Sequence, residues 1–147
     1  MKRTAWIVAA LSVVIASTAT HVLASDRPYS EGTVWSLSFI KTQTGKTDDY
    51  VKNLGAGWKP VMEEAKKQGL ILSYKVILSD RATPADWELL LMLEFKNMAA
   101  MDGWDEKERA IVDKVFGTHE KAQTDDGKRN EIREILGSKL AREIIIK

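Results

Sequence analysis

Apolar and polar residues alternate along TVWSLSFIK (33–41), with Trp35, Leu37 and Phe39 on one side and Ser36 and Ser38 on the other. A period of two marks a strand with two distinct faces. The pattern then changes. After a loop at 42–46, Thr47 is placed to cap a helix, and Asp48 and Asp49 suit its first turn, where the macrodipole favours acids. Tyr50, Leu54, Trp58, Val61, Met62 and Ala65 recur at helical spacing, although Gly55, Gly57 and Pro60 predict a kink or a split. Gly69 ends that helix. A second strand is expected over LILSYKVILS (70–79), a turn with Pro84 over 80–86, and a third strand over WELLLMLEF (87–95), apolar on both faces. Residues 97–116 read as helical through Met98, Met101, Ile111, Val112 and Val115, interrupted at Gly103 and stopped at Gly117. A further helix is expected from Asp125 or Asp126 through Ile132, Ile135 and Leu136 to Gly137, then a last strand at 140–146.

The order β-α-β-β-α-α-β is the split βαβ, ferredoxin-like arrangement, an α+β fold. It predicts a four-stranded antiparallel sheet with helices on one face and the first and third strands in the centre. The doubly apolar third strand suits a central place, because a strand buried on both faces loses its alternation. Helices cover only one face of such a sheet. The other is expected to carry Leu90 and Met92 with Val34 and Ile40, a patch that a small protein rarely leaves wet. A second copy, sheet against sheet about a two-fold axis, is the simplest cover. Each buried Leu or Met would contribute roughly 1.5–3 kcal/mol.

In element order over 33–147, and best in WELLLMLEF and KKQGLILSYKVI, the chain resembles the dimeric α/β-barrel superfamily. That group includes antibiotic-biosynthesis-type monooxygenases, EthD-like and NIPSNAP-like proteins. The resemblance implies a homodimer pairing as a dimeric α/β barrel. It also implies an alternative function, a cofactor-independent monooxygenase or an isomerase. No catalytic motif of those families is matched.

The N-terminus adds a destination. Lys2 and Arg3 precede an apolar stretch at 5–16, and Val22-Leu23-Ala24 has the form of a signal-peptidase site. The apolar core is shorter than the roughly 20 residues of a membrane span. Residues 1–24 are therefore expected to be a signal peptide cleaved after Ala24, 25–32 a flexible leader, and 33–147 one domain. The destination is periplasmic or secreted, with no stable membrane anchor after cleavage. Cleavage leaves 20 basic against 21 acidic residues, a formal charge of −1. A near-neutral chain argues against a nucleic-acid partner, which needs a basic face. The absence of cysteine excludes disulfides and a lipidated cysteine.

Candidate chemistry is sparse. TGKT (44–47) suggests a phosphate loop, but the first glycine of that motif would fall at Ile40, and Asp48 and Asp49 would repel phosphate. No nucleotide is expected. GAGWKP has Pro60 where a dinucleotide fingerprint needs its third glycine. With His21 removed, His119 is the single histidine, and no metal site is expected. His119 lies in a polar segment and reads as a surface residue; haem ligation through it is a weaker third function, and no cofactor is expected. Mixed-sign runs at 105–109 and 128–131 read as solvated helix faces. What remains is a polar set in an apolar setting: Glu88 and Glu94 flanking Leu90 and Met92, Ser36 and Ser38 on the first strand, and Ser73 and Lys75 on the second. If that face lines a dimer cavity, it could hold a small apolar or amphipathic ligand. In the plainer reading, Glu88 and Glu94 sit near strand ends and reach water. The opposite face assignment puts Trp35, Phe39, Trp87 and Phe95 in the cavity instead.

Overall fold

A computed structural model describes residues 27–117, 127 and 129–147. The elements are β1 (Tyr29–Thr42), α1 (Thr47–Asn53), a π-helical turn (Leu54–Trp58), α2 (Lys59–Lys67), β2 (Ser73–Leu78), β3 (Leu89–Phe95), a 3-10 turn (Met98–Met101), α3 (Trp104–Phe116) and β4 (Arg133–Ile146). The sheet runs β2-β3-β1-β4, with every neighbouring pair antiparallel. This is the ferredoxin-like α+β fold, with β1 and β3 central.

Local chemistry explains most boundaries. The first long helix divides where expected. The glycines lie in the π turn, and Pro60 stands in the first turn of α2, where its missing N–H costs nothing. Gly103 enters α3 at φ 67° and Gly117 leaves it at φ 82°, left-handed values that glycine adopts without strain. Thr47 does not cap. Lys46 occupies the cap position without a side-chain bond, Thr47 begins the helix, and its hydroxyl turns to Glu88.

The helices sit over one face of the sheet. One apolar cluster joins Val34 and Phe95 to Val61, Met62, Ala65, Ile71 and Ile111; a second joins Ile40, Leu89 and Leu91 to Tyr50 and Leu54. Trp58 packs against both. Val34 and Ile40 are thus on the covered face, each 1% exposed, not on the open one. The pairing dictates this. Directly opposed residues in an antiparallel ladder share a face, and Val34 opposes Phe95 while Ile40 opposes Leu89.

The last strand corrects the expectation most. Ile135, Leu136 and Gly137 belong to β4, not to a helix, and only residues up to 132 are helical. Twelve registered pairs with β1 outweigh a short apolar pattern that suits either structure. The register shifts beside Gly137: Phe39 opposes Gly137 and Ile40 opposes Ile135, leaving Leu136 as an extra, bulged residue. At the other end β1 starts at Tyr29, so residues 29–32, expected in the leader, belong to the strand, and Tyr29, Ser30 and Glu31 are paired with β4. The strands expected at 70–79 and 87–95 are shorter than that, at Ser73–Leu78 and Leu89–Phe95.

Candidate functional site

The open face has three transverse rows. Ser73, Glu94, Trp35 and Ala141 form the first; Lys75, Met92, Leu37 and Lys139 the second; Ile77, Leu90, Phe39 and Gly137 the third. Leu90, Met92, Leu37, Trp35 and Phe39 are each half-buried. The centre of the face is therefore apolar, and among the described residues no helix lies over it.

Polar groups stand around this centre. Glu94 receives the Thr33 hydroxyl at 2.9 Å on one carboxylate oxygen and the Ser73 hydroxyl on the other. The Thr33 hydroxyl also lies 3.1 Å from Glu143. Lys75 Nζ is 5.2 Å from the centre of the Trp35 ring, and Lys139 Nζ is 5.7 Å from that of Phe39. Both ammonium groups are within cation–π range. Phe39 and Trp87 meet edge to face at 5.7 Å. They line a groove of about 300 Å³ with Leu136, Gly137, Ser138 and Lys139. The face offers an apolar floor, a carboxylate anchored at one end and two cations at the flanks. That set can orient an amphipathic molecule.

Of the expected residues, Lys75, Leu90, Met92 and Glu94 come together here. Ser36 and Ser38 do not. They oppose Leu93 and Leu91, so they lie on the covered side, where Ser38 Oγ is 3.3 Å from Ser138 Oγ. Glu88 is absent from the open face too. It is buried at the sheet's loop end, where one oxygen accepts from the Thr47 hydroxyl at 3.0 Å, the Thr42 amide at 3.3 Å and the Thr42 hydroxyl. Its other oxygen pairs with Arg81 Nε at 3.0 Å. Glu88 ties α1 to the sheet. His119 lies outside the described residues, as do residues 1–26 and Asp125 and Asp126.

The alternative face assignment divides. Trp35 and Phe39 are on the open face, whereas Phe95 is buried against Trp104 at 5.1 Å. Leu37, Ile77, Thr33, Lys139 and Glu143 were missed. Lys139 falls in a stretch read as the gap between helix and strand, so its place on the face depended on the β4 boundary.

The TGKT loop turns tightly, with the Lys46 amide bonded to the Gln43 carbonyl at 2.9 Å and Gly45 at φ 76°. Lys46 Nζ reaches Asp49 at 3.0 Å, and that hydrogen bond holds the Asp49 carboxyl below its ordinary range. A wide depression of about 740 Å³ separates Lys41, Thr42, Gln43 and Thr44 from Arg81, Ala82, Thr83 and Pro84. Its cations are engaged, Arg81 with Glu88 and Lys41 with Glu134 at 3.7 Å. It is a gap between loops, larger than the groove by Phe39 but without apolar walls of strand residues.

No protein-family model matches the chain, and no curated protein does. Solved structures do. The chain is similar to a protein of Shewanella oneidensis at 15% identity and TM-score 0.50, over 80% of this chain and 96% of that one. It is similar to a dimeric ferredoxin-like protein from an uncultured marine organism at 14% identity and TM-score 0.49, over 80% and 90%. A third, a dimeric protein of unknown function and ferredoxin-like fold from Bacteroides fragilis, shares 16% identity at TM-score 0.39, over 79% and 97%. At such identities the likeness is one of fold.

Proposed function

We propose that the chain is exported and acts as a homodimer holding a small amphipathic molecule between two facing sheets. One observation carries this reading: the face bearing Trp35, Leu37, Phe39, Leu90 and Met92 is apolar at its centre, and no helix among the described residues covers it. The burial of Val34 and Ile40 sharpens the reading, because the open face owes its apolar centre to aromatic and long side chains that can line a pocket. Glu94 and the two lysines supply the polar ends. The basic, apolar and small-residue order of 1–24 supports export.

Native mass spectrometry of protein recovered after export tests all three parts. The expected species is a dimer beginning at Ser25 and carrying a small molecule. An exported chain still beginning at Met1 would remove the cleavage claim. A bare dimer that takes up no apolar dye would remove the ligand.

A further inference from the structure

Charge on the open face is partnered unevenly. At one end Glu94 and Glu143 share the Thr33 hydroxyl, and the Ser73 hydroxyl takes the second oxygen of Glu94. At the other end Glu134 is paired with Lys41, and the two oxygens of Asp86 accept the Ala82 and Trp87 amides. The acids are thus engaged. Among the described residues, Lys75 and Lys139 have no carboxylate partner; each ammonium lies over a ring, Trp35 for the first and Phe39 for the second. A ring face contributes less to an ammonium than a charge-assisted hydrogen bond to a carboxylate does.

Lys139 also borders a groove that the strand itself opens. Gly137 stands opposite Phe39, next to the bulged Leu136. Its φ is not positive, so the backbone there does not require glycine. What glycine supplies is space: a Cβ at Gly137 would meet nothing within 4 Å. Phe39, Trp87, Leu136 and Lys139 surround that space, about 300 Å³. Bulges recur beside binding sites, where they re-aim a side chain.

We propose that this groove takes an amphipathic acid, with its apolar chain between Phe39, Trp87 and Leu136 and its carboxylate on Lys139 Nζ. The inference rests on the reading of the open face as a ligand surface; it assigns the sign of the ligand's charge and the end of the face where it sits. A cationic amphiphile would meet Lys139 here, and at the other end would compete with the Thr33 and Ser73 hydroxyls for Glu94. A neutral one would exclude water from the ammonium and leave it only the Phe39 ring. An acid gives Lys139 the partner it lacks and lies away from Glu94 and Glu143. Lys75, over Trp35 in the row of Glu94, is not at the groove.

Isothermal titration calorimetry of the purified protein with decanoate, decanol and decylamine, probes of equal chain length, tests this. Decanoate should bind about ten-fold more tightly than either of the others. Lys139→Met should keep its far-ultraviolet circular dichroism and bring decanoate down to the level of decanol. Gly137→Leu, which fills the groove, should lose decanoate uptake with its circular dichroism intact. Decylamine or decanol binding as tightly as decanoate overturns the acid while leaving the ligand reading in place. Decanoate affinity unaltered in Lys139→Met or in Gly137→Leu puts the ligand elsewhere on the face and overturns the proposal too. Uptake of none of the three probes ends both.

Discussion

The two faces of β3 carry nearly the same kind of residue and meet different fates. Leu89, Leu91, Leu93 and Phe95 lie under the helices, whereas Leu90, Met92 and Glu94 lie on the bare side. On the covered side, the chain supplies its own partners: Met62, Ala65 and Ile111 are fully buried against Val34 and Phe95. On the bare side, similar hydrophobes remain half in water. Apolarity on both faces of a strand therefore signals centrality, but it does not say that the same chain fills both sides. Where one side lacks a helix, the unspent burial is available to a second copy or a ligand.

The sharpest way to break this comparison is to place one charge on neighbouring residues. Leu91→Lys would bury an unpaired ammonium beneath Tyr50 and Leu54 and should cost several kcal/mol, leaving an unfolded chain by circular dichroism. Met92→Lys sets the same charge on the open face, two such charges per dimer. It should leave the fold intact and dissociate the dimer in sedimentation. If Met92→Lys stays dimeric, the open face is not the interface. If Leu91→Lys folds normally, the contrast between the faces is wrong.

That contrast was only half legible in the sequence. The element order, the central place of β3, the break near Pro60 and the stops at Gly103 and Gly117 all follow from local propensity, which a sequence displays directly. The faces of β1 did not follow. Trp35, Leu37 and Phe39 look like the core side of an amphipathic strand, yet Val34 and Ile40 point to the core and the serines between them share their side. Parity in β1 is set by its register with β3, a long-range fact. Glu88 was misread for a similar reason. Its even number suggests the face of Leu90, but β3 begins at Leu89, and outside the ladder the side chain follows its hydrogen bonds.

Glu88 therefore offers a milder test, on the covered side but polar. Glu88→Ala would leave the Thr42 and Thr47 hydroxyls and Arg81 without their shared acceptor. Partly exposed Arg81 can turn to water, so the expected loss is about 1–3 kcal/mol in urea unfolding. Dimerisation should not change. A loss of dimer without loss of monomer stability would place Glu88 at the interface after all.

Tyr74 and Lys75, adjacent on β2, extend the comparison to pH. Tyr74 lies on the helix side, against Trp58 at 5.2 Å, with its hydroxyl donating to Glu63. Burial, and then that carboxylate, push its phenol up to about 12. A raised folded value means that the fold favours the neutral form. The contribution is whole below the unfolded value of about 10 and fades as pH rises from there to about 12. Urea midpoints should fall across that window, and Tyr74→Phe should flatten the fall. Lys75→Met, on the open face, should leave that alkaline slope in place. An unchanged slope in Tyr74→Phe would refute the assignment.

The smallest effect belongs to a residue on neither face. Lys46 sits in the turn between β1 and α1, about half-exposed, and its ion-pair partner among the described residues is Asp49. Exposed pairs of this kind contribute little. Lys46→Ala should therefore lower the urea midpoint at neutral pH only slightly. The acid limb gives a finer reading. Lys46 holds the Asp49 carboxyl low, and a depressed folded value contributes stability that is lost as pH falls through it. Removing Lys46 should make the protein slightly less stable relative to its acid form, a small flattening of the acid limb. Equilibrium dialysis with ATP and GTP completes the test. No uptake is expected by either protein, since Asp48 and Asp49 stand where phosphate would bind the helix N-terminus. Tight nucleotide binding that disappears in Lys46→Ala would make the TGKT loop a functional site and move attention away from the sheet face.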